Sequence, residues 1–170
     1  MRGSTLKIEH NRTLTNEELQ FVKNHLRNRP YMSGIDRDLA RVKTTQEVFT
    51  PIELVQEVLS KIPEEYWEDE DKTAIDPAMG DCNFLSEVLI KKLEHGHSFK
   101  KALSTICGID FQMDNCLLSR KRMLCKQYEL EEIVQQNLIC ADSLKVKNWK
   151  FDGTDPYKTE EDFKFDSLFD

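Results

Sequence analysis

The chain contains 170 residues, of which 39% are hydrophobic and 32% charged, and its formal net charge is −7. This length fits one domain, or one domain with a small appendage, and the apolar fraction excludes a disordered tail. The absence of a Gly-X-Y or heptad repeat excludes collagen and coiled coils, and the net charge argues against a globally basic nucleic-acid-binding protein.

The charge is distributed unevenly along the chain. Residues 1–50 carry 9 Lys and Arg against 6 Asp and Glu, whereas residues 51–170 carry 15 against 25. Any contact with nucleic acid is therefore expected in the N-terminal third or through a partner. No apolar run approaches the roughly 20 residues of a membrane helix, and the five cysteines form no C-x-x-C pair. We expect a cytoplasmic protein with reduced thiols, without a metal site or a membrane partner.

Residues 1–43 are predicted to form a small N-terminal helical region. Thr15 followed by Glu18 has the capping-box pattern of a helix start, and apolar residues follow at helical spacing. A further short helix is predicted over 36–42. The region ends in a polar, irregular stretch, which places the start of a larger domain at residue 44.

A second helix is predicted over 52–62, in the segment FTPIELVQEVLSKIP. Thr50 is expected at its N-cap with Pro51 at the first helical position, and the segment carries a second capping box. The acidic run that follows, EEYWEDEDK, is predicted to be a surface loop in which Trp67 makes an edge contact.

The middle of the chain alternates short apolar runs with helical segments. Strands are predicted over 73–76, 105–110 and 137–141, and helices over 83–96, 97–104 and 112–127. This alternation predicts an α/β fold in which helices cover the faces of a parallel sheet. The expected strand order is 3-2-1, with a fourth strand at 164–169 beside the first.

Each of the three predicted strands leads into an aspartate: Asp76, Asp110 and Asp142. In parallel sheets, ligands bind beyond the carboxyl ends of the strands. We therefore expect the three carboxylates to converge on one crevice.

The loop after the first strand, DPAMGDCNFL (76–85), carries a second signal. Gly80 lets the backbone turn tightly and approach a ligand. The phosphate-binding glycine patterns are absent, and Asp76 and Asp81 would repel a phosphate. An acidic loop favours a ligand with positive charge on an amino acid or a sulfonium.

Four segments together resemble the S-adenosylmethionine-dependent N6-adenine DNA methyltransferases of type I and some type II modification systems. The loop DPAMGDCNFL is similar to that family's Asp-Pro-Ala-x-Gly-x-Gly-x-Phe-Leu signature, and TTQEVFTPIELVQEVL (44–59) to its Phe-Thr-Pro cofactor segment. GIDFQMDNCLLSRKRML (108–124) and NLICADSL (137–144) resemble its second and third strand segments. The resemblance implies a Rossmann-like three-layer methyltransferase sandwich over residues 44–170, incomplete at the C-terminus.

The resemblance also implies S-adenosylmethionine as cofactor and assigns residues to its site. These are Phe49, Thr50, Pro51, Asp76, Pro77, Ala78, Gly80, Asn83, Phe84, Asp110, Phe111 and Asp142. The first three would contact the cofactor from one side, and residues 76–80 would line its methionine part. Asp110 would accept from the ribose hydroxyls, Ile109 and Phe111 would flank the adenine, and Asp142 would accept from the adenine amino group.

The sequence departs from the family at two places. Cys82 stands where the family has its second glycine, and the catalytic Asn-Pro-Pro-Tyr is absent. No catalytic residue is therefore assigned, and Pro156–Tyr157 is interpreted as a turn. The resemblance implies that DNA is engaged through a missing C-terminal part or a partner chain, such as a second subunit with the catalytic and target-recognition parts.

Other interpretations remain open. The chain fits the cofactor-binding part of a restriction–modification or phage adenine methyltransferase, a non-catalytic or regulatory remnant that binds S-adenosylmethionine, or a related protein-glutamine or RNA methyltransferase. Asp142 is also explained as a helix N-cap. His95 and His97, at a predicted helix end, fit a helix-dipole or solvent role better than metal binding.

Overall fold

The computed structural model describes residues 6–28 and 50–154. Within these ranges the seven α-helices are α1 (Asn16–Arg27), α2 (Ile52–Leu59), α3 (Glu64–Glu68), α4 (Asn83–Glu94), α5 (Phe99–Ser104), α6 (Met113–Met123) and α7 (Glu131–Asn137). The three strands are β1 (Ala74–Asp76), β2 (Ile106–Asp110) and β3 (Leu138–Cys140). Short 3-10 segments occupy Tyr128–Leu130 and Val146–Asn148.

The three strands form a parallel sheet in the order β1-β2-β3. Asp76 pairs in register with Gly108, and Asp110 pairs with Cys140. The predicted parallel arrangement and strand order are confirmed. The fourth strand predicted at 164–169 and the helix predicted at 36–42 lie outside the described residues.

The main core lies between α4 and one face of the sheet. Leu85, Leu89 and Ile106 are each at most 2% exposed, and α1 adds Val22 and Leu26 to the same cluster. Residues 6–28 therefore share a core with the sheet. The domain boundary predicted at residues 43 and 44 lies outside the described residues.

A second, smaller cluster lies on the opposite face of the sheet. Ile109, Ile139 and Ala141 are fully buried there, and Trp149 packs against them. Neighbouring strand residues point to opposite faces, so Gly108 faces α4 while Ile109 faces Trp149. Apolar side chains thus cover both faces of this small sheet.

Helix α1 begins as the sequence predicts. The Thr15 hydroxyl accepts a hydrogen bond from the Glu18 amide at 3.3 Å, and the Glu18 carboxylate accepts one from the Thr15 amide at 2.8 Å. These two bonds complete the capping box.

Two local predictions around α2 and α3 are wrong. The N-cap of α2 is Pro51, with extended backbone (φ −57°, ψ 144°) and no side-chain cap, so Thr50 does not cap this helix. The predicted surface loop at 64–72 contains α3, and Trp67 is 1% exposed rather than at an edge. Its ring packs edge-on against Tyr66 at 5.0 Å and lies near His95, a tertiary contact that the acidic local sequence does not reveal.

Candidate functional site

The loop between β1 and α4 forms the centre of the candidate site. Its backbone is left-handed at two positions, Gly80 (φ 51°) and Cys82 (φ 66°). An L side chain is disfavoured at such a position by roughly 1–2 kcal/mol, which explains why a glycine suits position 82. Cys82 is fully buried, and burial raises the pKa of its thiol to about 12. The thiol is therefore protonated at neutral pH and lines the inside of the loop.

Asp110, at the end of β2, is bonded directly to this loop. Its Oδ2 accepts a hydrogen bond from the Gly80 amide at 3.0 Å. Its Oδ1 accepts from the Gln112 amide at 2.7 Å and from Asn115 Nδ2 at 3.1 Å. Hydrogen bonds to a charged group are stronger than neutral ones, so this carboxylate fixes the loops after β1 and β2 relative to each other.

Helix α6 contacts the same loop through two polar side chains, Ser119 and Arg122. Ser119 Oγ donates to the Gly80 carbonyl at 3.1 Å. Arg122 Nη1 lies 3.1 Å from Asp81 Oδ2 and also donates to the Asp81 carbonyl. The side chains of Arg122 and Asp81 are each only 1% exposed.

Asp76, at the end of β1, has a different environment. The carboxylate is half-buried, and its Oδ1 accepts a hydrogen bond from the Ala78 amide at 3.0 Å. Burial raises the pKa of Asp76 above its ordinary value. Burial of a carboxylate disfavours its charged form, and a cationic ligand would offset that cost.

Asn83 connects the loop to the segment before α2. Its Nδ2 donates to the Thr50 carbonyl at 2.8 Å, so the sequence-predicted residues Thr50 and Pro51 lie beside the loop. Its Oδ1 is buried without a hydrogen-bond partner in the described part of the chain. Phe49, also predicted for the site, lies outside the described residues.

The residues predicted to lie beside the adenine have three different environments. Phe111 is 59% exposed just beyond β2, whereas Ile109 is fully buried in the Trp149 cluster. Asp142 accepts from the Leu144 amide at 3.0 Å and pairs with Lys145 at 3.1 Å, and these contacts lower its pKa. Its side chain thus caps its own turn, two residues after the end of β3.

The remaining predicted residues frame the loop. Pro77 and Ala78 are exposed at its tip, and Phe84 packs against the main core from the first turn of α4. The structure thus joins the loop, Asp110 and Thr50 through hydrogen bonds. Sequence reasoning missed Asn115, Ser119 and Arg122. Their spacing of four and three residues was a signal, because it puts polar side chains on one helix face, where a helix packed on a sheet usually carries apolar ones.

Among residues 6–28 and 50–154, no group of His, Cys, Asp and Glu is arranged to hold a metal ion. None of the helices in these ranges is long and apolar enough to cross a membrane. His95 Nε2 instead lies 2.5 Å from Glu64 Oε1, and the pKa of Glu64 is lowered by this contact.

No protein-family model, no curated protein and no solved structure matches the chain. What the fold and the site define is a mixed α/β protein with a small parallel sheet and an acidic, glycine-containing loop at the sheet's carboxyl end.

Proposed function

We propose that this chain is the S-adenosylmethionine-binding part of a DNA adenine-N6 methyltransferase of a restriction–modification or phage type. The observation that carries the proposal is the 3.0 Å hydrogen bond between the Gly80 amide and Asp110 Oδ2. It places the acid that ends one parallel strand against the glycine loop that follows its neighbour. This is the position at which parallel α/β sheets bind nucleoside-containing ligands.

The side chains around the loop fit the chemistry of this cofactor. Asp76 is a half-buried carboxylate with raised pKa, suited to a ligand that carries a sulfonium and an ammonium. Asn83 Oδ1 offers a buried acceptor, and Phe111 presents an exposed aromatic face beside Asp110. When bound, the cofactor supplies an activated methyl group, and these residues would hold and orient it.

The choice of ligand also follows from what the loop disfavours. Neither Gly-x-Gly-x-x-Gly nor Gly-Lys-Ser/Thr occurs in the chain, so the loop lacks the phosphate cradle of nucleotide-binding folds. The carboxylates of Asp76 and Asp110 would repel phosphate groups. A nucleoside that carries a cationic amino acid remains the best match.

Because the chain contains no Asn-Pro-Pro-Tyr, the proposal needs the acceptor side of the reaction to come from a C-terminal part or a partner chain. Within the described residues, β1 pairs with β2 along one edge and with no strand along the other. Ile75 is 50% exposed there, beside a groove of about 400 Å³ lined mainly by apolar side chains, Tyr66 and Phe84 among them. A strand added in parallel at this edge, such as the one predicted at 164–169, would extend the sheet toward a Rossmann-like three-layer methyltransferase sandwich and place its own carboxyl end beside Asp76.

Titration calorimetry with S-adenosylmethionine tests the proposal. We expect the wild-type chain to bind and Asp110→Ala to bind at least about tenfold more weakly, because hydrogen bonds to a charged group contribute roughly 1.5–3 kcal/mol. Asp71→Ala is the matched control, since Asp71 is an exposed carboxylate paired with Lys101 away from the loop. Absence of binding by the folded wild-type chain would refute the proposal.

A further inference from the structure

One face of α6 carries three buried polar side chains, two of which contact the loop after β1. Asn115, Ser119 and Arg122 are 1%, 0% and 2% exposed. Their spacing of four and three residues places them in a row along the helix. Such a row on a buried helix face is costly unless each polar group has a partner, so its contacts reveal what it does.

Ser119 and Arg122 contact Gly80 and Asp81 directly, and Asn115 reaches Gly80 through Asp110. Asn115 holds Asp110, which accepts from the Gly80 amide, and Ser119 donates to the Gly80 carbonyl. Arg122 pairs with the Asp81 carboxylate and donates to the Asp81 carbonyl. Both peptide groups of Gly80 are thereby fixed by side chains from other elements.

The ion pair between Arg122 and Asp81 is poorly explained as a device for stability. Arg122 Nε and Nη2 are buried and have no hydrogen-bond partner within the described ranges. Removing two charges from water costs free energy that an incompletely hydrogen-bonded pair does not recover, and apolar replacements of such pairs are often neutral or stabilising. Arg122 also bonds to the Asp81 carbonyl, and thereby contacts the backbone between the left-handed residues Gly80 and Cys82.

We propose that Ser119 and Arg122 are positioning residues, which hold the backbone of Gly80 and Asp81 in the conformation that binds the ligand. Both are buried and bonded to the loop backbone, whereas Pro77 and Ala78 are exposed, so they act through Gly80 and Asp81 rather than on the ligand itself. The identity of the ligand, S-adenosylmethionine, rests on the proposed function. The restraint of the loop backbone by Ser119 and Arg122 does not depend on the proposed function.

The first test compares two double variants of the full chain by titration with S-adenosylmethionine. Asp81→Asn with Arg122→Met removes the pair under the loop. Arg27→Met with Glu87→Gln removes a comparable pair that joins α1 to α4 through two hydrogen bonds of 2.9 and 2.8 Å. We expect the first variant to bind at least tenfold more weakly and the second to bind within twofold of wild type, with urea unfolding confirming that both are folded.

Ser119→Ala provides a milder variant in case the double substitution prevents folding. It removes one hydroxyl and its hydrogen bond to the Gly80 carbonyl, and we expect binding to weaken about threefold or more. Unchanged affinity in Ser119→Ala together with unchanged affinity in a folded Asp81→Asn/Arg122→Met variant would overturn the proposal.

Hydrogen exchange separates this proposal from the proposed function because it requires no ligand. The Gly80 amide donates to Asp110 and the Cys82 amide donates to the Met79 carbonyl at 2.7 Å, so both are protected in the wild-type loop. We expect these two amides to exchange at least tenfold faster in Asp81→Asn/Arg122→Met, and the amide of Leu89 in α4 to change much less. If the wild-type chain fails to bind S-adenosylmethionine, the proposed function is refuted, and exchange of the two loop amides at the wild-type rate would refute the positioning role as well.

Discussion

The carboxylate of Asp76 ends β1 in a half-buried position and accepts a hydrogen bond from the Ala78 amide. Burial raises its pKa above the value of the unfolded chain. A raised carboxyl pKa means that the contribution of Asp76 to stability is fully present below its unfolded pKa and is lost as the pH rises through its folded pKa. At neutral pH the charged Asp76 therefore lowers the free energy of unfolding.

For Asp76→Asn we accordingly expect opposite effects on stability and binding. The variant should be more resistant to urea than wild type at pH 7, with the difference shrinking at pH values below the unfolded pKa of an aspartate. Its affinity for S-adenosylmethionine should fall by about tenfold, equivalent to roughly 1.4 kcal/mol, because the variant lacks the charge that we propose to face the sulfonium.

S-adenosylhomocysteine supplies the control for this charge effect, since it lacks the sulfonium but retains the adenosine. Its affinity should change less in Asp76→Asn than that of S-adenosylmethionine. Equal losses for the two ligands would show that Asp76 does not recognise the sulfonium.

At the level of elements, α1 depends on one carboxylate at its start. Glu18 is 6% exposed, accepts the Thr15 amide and forms two hydrogen bonds to Arg12, at 2.8 and 3.0 Å. The Arg12 guanidinium lowers the pKa of Glu18 to about 2, and hydrogen bonds from backbone amides contribute a smaller part of this effect. A lowered carboxyl pKa contributes stability that is present above the unfolded pKa and is lost as the pH falls through the folded value.

Glu18→Gln should therefore lower the free energy of unfolding at pH 7 by about 1 kcal/mol, a value kept small because the partner Arg12 is half exposed to solvent. The variant should also lose less stability than wild type when the pH falls from about 5 to 2. Urea unfolding across this range measures both effects. Glu17→Gln, at the exposed neighbouring position, is the control, and an equal effect in that variant would contradict the capping role of Glu18.

Strand β2 approaches the loop and α4 so closely at Gly108 that no side chain fits. A Cβ built there would lie 2.5 Å from Met79 Sδ and 2.8 Å from Leu85 Cδ1. Gly108→Ala should destabilise the protein by roughly 1–3 kcal/mol, as overpacked cores do, and should weaken binding of S-adenosylmethionine because Met79 belongs to the loop. Cys107→Ala on the opposite face is the control in unfolding and titration experiments. Full stability of Gly108→Ala would show that Met79 and Leu85 can move aside.

For the whole molecule, we expect cofactor binding without methyl transfer to DNA. The sequence contains no Asn-Pro-Pro-Tyr, and positioning of the acceptor amine accounts for much of the acceleration in such reactions. Residues 51–170 carry 10 more acidic than basic side chains, which disfavours duplex binding at physiological salt. Transfer of labelled methyl groups to adenine measures this directly. Clear labelling by the chain alone would contradict the expectation and turn attention to Pro156–Tyr157, which lies outside the described residues.

The amino-acid sequence alone determined the local features of this protein. The capping box at Thr15 and Glu18 and the three parallel strands follow from residue spacing and from alternation of apolar runs with helices. These are short-range patterns that each segment carries by itself. The same reasoning predicted that Asp76, Asp110 and Asp142 converge at one edge of the sheet, whereas the hydrogen bond between the Gly80 amide and Asp110 was not predicted.

Tertiary structure decided what depends on neighbours distant in sequence. Trp67 is buried although its surroundings are acidic, because helix α3 places it in the main core, near His95 of a later segment. Thr50 uses its carbonyl to bind Asn83 instead of capping α2. Arg122 lies beneath a loop 41 residues earlier in the chain. A polar side chain on a buried helix face has no local pattern that identifies its partner, and only the packing of α6 on the loop provides one.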